Sequence, residues 1–256
     1  MCTVTYLPQP RAGFLLTSSR DEKTIRPAAI FPVRYQSSYH KICYPKDPQS
    51  AGSWVAASSQ LTVCLLNGAF RAHAPRAPYR HSRGLVVLSV FDYPSPADWF
   101  AAYNFIGLEP FTLIIIEPEA TCQRFTHPVE RLWEVRWDGQ TPHLRQLNPQ
   151  LPHIWSSVTL YSDEVIARRQ QWFGDWLVQQ PTDGFKVSAI RDFHKQAGAG
   201  DTVNGVLMNR GNGMQTISLT TIHQEGENAM MCYEDLLTNT IRHQQLSTTN
   251  EHVFAH

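Results

Sequence analysis

Cys2 stands directly behind the initiator Met1, and a cysteine at that position has an unusual chemistry open to it. Aminopeptidases trim Met1 when the second side chain is small. The trimmed chain begins with a thiol of pKa about 8.5 beside a free α-amine of pKa about 8. An N-terminal Ser, Thr or Cys whose own amine accepts the side-chain proton is an activated nucleophile for acyl transfer. Amide hydrolysis at such a centre needs a cation to favour thiolate, an anchor for the ammonium and donors for the developing oxyanion. Arg20 and Asp21, within Ser18-Ser19-Arg20-Asp21-Glu22, offer the first two. Asn67 ends the strand-like run Leu65-Leu66-Asn67 and offers a side-chain NH₂; one such donor is worth about 3–4 kcal/mol in a transition state. Each also has an ordinary reading. The charged run makes a solvated turn paired with Arg26, and Asn67-Gly68 makes a simple turn.

Met1-Cys2-Thr3, Arg20-Asp21-Glu22 followed by Arg26-Pro27, Gly52-Ser53-Trp54, and the stretch from Leu65 to Arg71 together resemble the NRDE family, also called the transport and Golgi organisation protein 2 family. That family opens with Met-Cys and carries Asn-Arg-Asp-Glu ahead of Arg-Pro; here Ser19 replaces the Asn. The likeness is sharpest over the first 85 residues and continues through Ser82-Arg83-Gly84-Leu85, Phe111 to Ile116 and Thr216-Ile217-Ser218. It implies the N-terminal nucleophile hydrolase fold: an α+β, four-layer αββα sandwich of two antiparallel sheets, with Cys2 opening a central strand. In the cysteine acylases of that fold, the choloylglycine-hydrolase type, an Arg and an Asp follow the first hairpin and an Asn ends a later strand. Arg20, Asp21 and Asn67 match that pattern. Trp155-Ser156-Ser157 stands where the family has Leu-Ser-Asn, so a second amide is missing. The implied activity is an N-terminal cysteine amidohydrolase or acyltransferase acting on a small acylated substrate, with no cofactor. The resemblance also allows a non-enzymatic haem or lipid/acyl-CoA handling protein on the same scaffold, although the chain has no C-x-x-C-H motif.

The elements that must position these residues begin with a hairpin. Cys2 to Leu7 and Phe14 to Ser18 read as strands around the Pro8-to-Gly13 break, a pairing that sets residue 2 opposite roughly residue 19. Arg20 and Asp21 are adjacent, and successive strand residues face opposite sides, so one of them shares a face with Cys2. Residues 25–52, rich in proline, read as an ordered irregular excursion. A second hairpin joins Ser53–Ala57 to Leu61–Leu66. Helices are expected over Ser82–Asp92 and Ser95–Asn104, and strands over Phe111–Glu117, Leu132–Trp137 and His143–Leu147. From Ser162, a capped helix carries Val165, Ile166, Arg169, Trp172, Phe173, Trp176 and Leu177 on one stripe. A short helix covers Ala189–Gln196. The hairpin Val203–Met208/Met214–Thr221 turns at Asn212-Gly213, and Met230–Leu236 adds another strand. One domain, residues 1–243, precedes a polar tail, residues 244–256.

Composition narrows the partners. Net charge is zero, which gives no electrostatic case for nucleic acid or an anionic membrane. The longest apolar stretch, Phe111 to Ile116, is far short of a membrane span. Five scattered cysteines show neither metal nor redox spacing. No secretory signal is visible in the first residues, so a cytoplasmic protein with reduced thiols is expected. The basic loop holding Arg71, His73, Arg76, Arg80, His81 and Arg83 reads as solvated. No G-x-S-x-G, Walker A, G-x-G-x-x-G or H-E-x-x-H occurs.

Overall fold

A computed structural model describes residues 3–9, 13–117, 131–181, 183–226 and 228–246. Thr, Val and Tyr open the chain in β1 (Thr3–Pro8), which returns as β2 (Gly13–Lys23). The hairpin sets Thr3 opposite Ser19, within one residue of the expected register. The pair of strands is closed by the bond from the Gln9 N–H to the Gly13 carbonyl at 3.0 Å. Glycine is required at position 13. Its φ is 149°, and an added Cβ would lie 2.0 Å from the Gln224 carbonyl oxygen.

The excursion expected over 25–52 holds two strands, β3 (Ile30–Gln36) and β4 (Lys41–Lys46). Its prolines hide them from a pattern reading, and the structure shows why they are tolerated. Pro32 sits on an edge strand at a break in register between Ile30 and Val33. Pro45 lies where β4 has ceased to pair with β5 (Val55–Ala57), which it meets only at Cys43 opposite Ala57. Then follow β6 (Thr62–Asn67), α1 (Arg83–Ser89) with a 3-10 turn at Val90–Asp92, and α2 (Pro96–Ala102). Ser82 and Ser95 cap the two helices through their hydroxyls.

β7 (Phe111–Glu117), β8 (Arg131–Trp137), β9 (Pro142–Leu147) and β10 (His153–Ser156) come next. β7 reads as an unbroken apolar run because both its faces are covered. Ile114 and Ile116 point into one core, Phe111, Leu113 and Ile115 into another. Burying each such side chain contributes about 1.5–3 kcal/mol.

α3 (Asp163–Val178) buries Val165, Arg169 and Phe173 from the expected stripe, and α4 (Val187–Gln196) packs beside it. Ser162 occupies the N-cap without a side-chain capping bond. Met208's neighbourhood corrects the reading of Val203–Met208 as a strand: the segment is a turn-rich loop touching β11 (Met214–Glu225) through a single bridge, Asn209 to Gln215. Asp201 Oδ1 accepts from the amides of Val203 and Asn204, which curls the backbone away from an extended path. β12 (Asn228–Asp235) and β13 (Thr240–Gln245) complete the chain, with Leu246 buried after them.

The strands form two antiparallel sheets, one in the order β10-β1-β2-β11-β12-β13 and the other β3-β4-β5-β6-β7-β8-β9. Val4, Leu16 and Met231 from the first meet Val55, Cys64 and Ile114 from the second in an inner core. α1 and α2 cover the outer side of the second sheet, where Val86 and Trp99 pack on Val63 and Leu65. α3 and α4 cover the outer side of the first, where Phe173 and Ile190 pack on Leu7 and Leu15. Helix, sheet, sheet and helix make an α+β sandwich of four layers.

Candidate functional site

Thr3 sits between two strands, opposite Ser19 of β2 and Ser156 of β10. Cys2 lies outside the described residues. Alternation along β1 sends Val4 and Tyr6 into the inner core and Thr3, Thr5 and Leu7 outward, under α3 and α4.

A buried polar layer meets those outward residues. Arg169 is wholly buried, and its Nη1 donates to Thr3 Oγ1 at 2.5 Å. Its other N–H groups donate to the carbonyls of Asn204 and Gly205, the latter at 2.6 Å. The guanidinium lies 3.6 Å from the Tyr161 ring centre, a cation–π contact. Tyr161 in turn donates to Asp21 Oδ2, while Thr216 donates to Asp21 Oδ1, each at 2.5 Å. One connected network therefore runs from Thr3 through Arg169 and Tyr161 to Asp21.

Asp21 and Arg20 divide between the faces of the sheet, as adjacent strand residues must. A bulge on β11, with Ile217 between Thr216 and Ser218, marks the spot. Arg20 points inward. It stacks at 4.1 Å over Trp54 and donates to Asp47 Oδ2 at 3.0 Å. Asp47 also accepts from Arg26 at 2.7 Å, and Glu22 completes a quartet of alternating charges. Burial pulls the Arg20 pKa down from its ordinary value, while Asp47 and Glu22 oppose the fall. The Asp47 carboxyl is held below its ordinary range: burial opposes ionisation, but Arg26, the Ser50 amide and Arg20 outweigh it.

Asn67 lies at the same end of the sandwich. Its carbonyl accepts from Ser157 Oγ at 2.8 Å, and Ser157 directly follows the Ser156 that faces Thr3. Asn67 pairs across the ladder with Phe111, a member of the outer core under α1 and α2, whereas Leu66 belongs to the inner core. Strand parity thus assigns Asn67 to the face of its sheet away from the first sheet. Arg20, Asp21, Asn67 and Thr3 converge at one end of the fold, with Arg20 between the sheets and Asp21 beneath the helices.

His194 was not singled out by pattern. It is fully buried, with Nε2 2.9 Å from Thr5 Oγ1 and Nδ1 2.8 Å from Ser19 Oγ. Burial, with Arg191 and Arg169 nearby, pushes its pKa down to about 3, so the ring is neutral. Both ring nitrogens are engaged, and burial pushes the Cys43 and Cys64 thiols up to about 12. Among the described residues, no group of three His, Cys, Asp or Glu is placed to hold a metal ion, and no helix is long and apolar enough to cross a membrane. In the basic loop, His73 and Arg83 both meet Glu109, each at 3.2 Å.

The signal for Arg169 was present, since it is the one charged member of an otherwise apolar helical stripe. The signals for His194 and Tyr161 were not, because their partners lie more than a hundred residues away in sequence.

A family model described as Transport and Golgi organisation 2 matches residues 1–174. No curated protein matches the chain.

Proposed function

We propose, for a chain that belongs to the Transport and Golgi organisation 2 family, that it is an N-terminal cysteine amidohydrolase or acyltransferase acting on a small acylated substrate. The observation that carries this reading is the fixation of Thr3, the neighbour of the candidate nucleophile. Thr3 is held by strands on both sides and by a buried arginine from below. Burying a cation is costly unless its bonds are satisfied, and those of Arg169 go to Thr3 and to the Asn204 and Gly205 carbonyls.

In the processed chain, the Cys2 α-amine takes the thiol proton. The sulfur attacks the amide carbonyl carbon, a C–S bond forms, and the C–N bond breaks as the amine leaves with the ammonium's proton. Water, or an acceptor amine, then cleaves the thioester and restores the thiol. Arg20 favours the thiolate as the cation on the inner face. Asp21, tied to Thr216 and Tyr161, is the anchor for the ammonium. Asn67, expected as the oxyanion donor, is assigned by strand parity to the face away from the first sheet, so the scheme leaves that donor unassigned. Free, buried thiols at Cys43, Cys64 and Cys232 suit a cytoplasmic protein.

The test mixes wild type and Cys2→Ala with a panel of N-acyl amides, and separately with haemin. Turnover confined to wild type supports the hydrolase. A haem spectrum in both proteins with turnover in neither contradicts it and supports a carrier.

A further inference from the structure

The inner face of the six-stranded sheet carries a group of buried polar atoms that no described residue satisfies. Ser18 and Arg20 on β2 stand opposite Thr220 and Ser218 on β11. Trp54, directly before β5 of the facing sheet, lies over Arg20 and tilts against Tyr233 at 6.5 Å between ring centres. Ser18 Oγ, Arg20 Nη1, Trp54 Nε1, Ser218 Oγ and Thr220 Oγ1 are buried and have no hydrogen-bond partner among the described residues. Ser18 sits beside the Cys64 thiol and Ser218 beside the Tyr233 phenol, but neither reaches hydrogen-bond geometry. The large majority of buried side-chain polar atoms in proteins are paired. Unpaired groups gathered on one face match the profile of a binding surface better than that of a core.

The donor set describes what would fit. Arg20 Nη1 and Trp54 Nε1 only donate, whereas the three hydroxyls donate or accept. Charge is already balanced, because Arg20 and Arg26 face Asp47 and Glu22. A buried anion would be left without compensation, which is strongly unfavourable. The complement is a neutral group with one strong acceptor and an N–H. Glu22 and Arg26 are 24% and 27% exposed, so this end of the cluster meets solvent.

We propose that this inner-face cluster is a subsite for a neutral carboxamide, whose carbonyl oxygen accepts from Arg20 and Trp54 while its N–H donates to one hydroxyl of the group Ser18, Ser218 and Thr220. The subsite rests on the amidohydrolase reading only in making that carboxamide part of the substrate.

The experiment is a titration of ¹⁵N-labelled full-length protein, as wild type and as Cys2→Ala, with N-methylacetamide and with acetate. The readout is the Trp54 indole N–H resonance, assigned with Trp54→Phe. N-methylacetamide is expected to shift it saturably in both proteins, and acetate to leave it unmoved. The Ser218→Ala/Thr220→Val pair should weaken the amide about three- to tenfold, the worth of one hydrogen bond. No saturable shift with the amide, or an equal shift with acetate, overturns the proposal. Turnover in wild type without a shift removes the subsite and leaves the hydrolase. A shift without turnover does the reverse.

Discussion

Arg169 of α3 reaches under the first sheet and donates to Thr3, 166 positions earlier in the chain, at 2.5 Å. The same guanidinium binds the loop carbonyls of Asn204 and Gly205 and stacks on Tyr161. Three distant segments are thereby locked to the start of β1.

Arg169→Met should therefore destabilise the fold by at least about 1–3 kcal/mol, since it leaves the buried Thr3 hydroxyl and the Asn204 and Gly205 carbonyls without their donor. Arg169→Lys should rescue little of it, because an ammonium lacks the planar fork that serves Thr3 and two carbonyls at once. Urea unfolding of both variants checks this, and a lysine variant as stable as wild type would contradict it.

The pattern of the sequence showed most of the fold and only part of the site. β1, β2, β6 and β7 announced themselves through β-branched and apolar runs, and α2 through Ser95-Pro96. β3 and β4 stayed hidden because Pro32 and Pro45 lie where their ladders break. Arg20 and Asp21 are legible as residues, but the networks around them join β2 to α3, to β11 and to the segment between β4 and β5. Such contacts depend on which strands become neighbours, and local periodicity does not carry that information.

His194 makes stability depend on pH. Its folded pKa of about 3 lies below the unfolded value near 6.5. Between those values the unfolded chain binds the extra proton, so stability falls as pH falls, by about 1.4 kcal/mol per unit within the window. Above pH 6.5 the contribution is fully present. His40 and His223 are also lowered by burial and act in the same direction. His194→Gln should flatten the slope between pH 6.5 and 4.5, measured by urea midpoints, and an unchanged slope would refute the assignment.

Gly13→Ala should destabilise the first sheet by well over about 1 kcal/mol. The new methyl meets the Gln224 backbone, which cannot swing aside as a side chain would. Thermal unfolding tests it: an unchanged midpoint would count against the close approach, while Gly174→Ala, in the interior of α3 with nothing within 4 Å, should raise the midpoint.

Alkylation should separate the thiols. Burial raises the Cys43 and Cys64 pKa values to about 12, which leaves almost no thiolate at pH 7. Cys2 should label first, and Arg20→Met should slow it several-fold. Equal rates at Cys2 and Cys43 would remove the case for an activated nucleophile.

The most direct measurement is intact-protein mass spectrometry of the purified chain, before and after rapid acid quenching during incubation with an activated N-acyl amide. The amidohydrolase account predicts a chain lacking Met1 that carries one acyl group, mapped by peptide analysis to Cys2. A chain that retains Met1, or an acyl group found anywhere but Cys2, would contradict it.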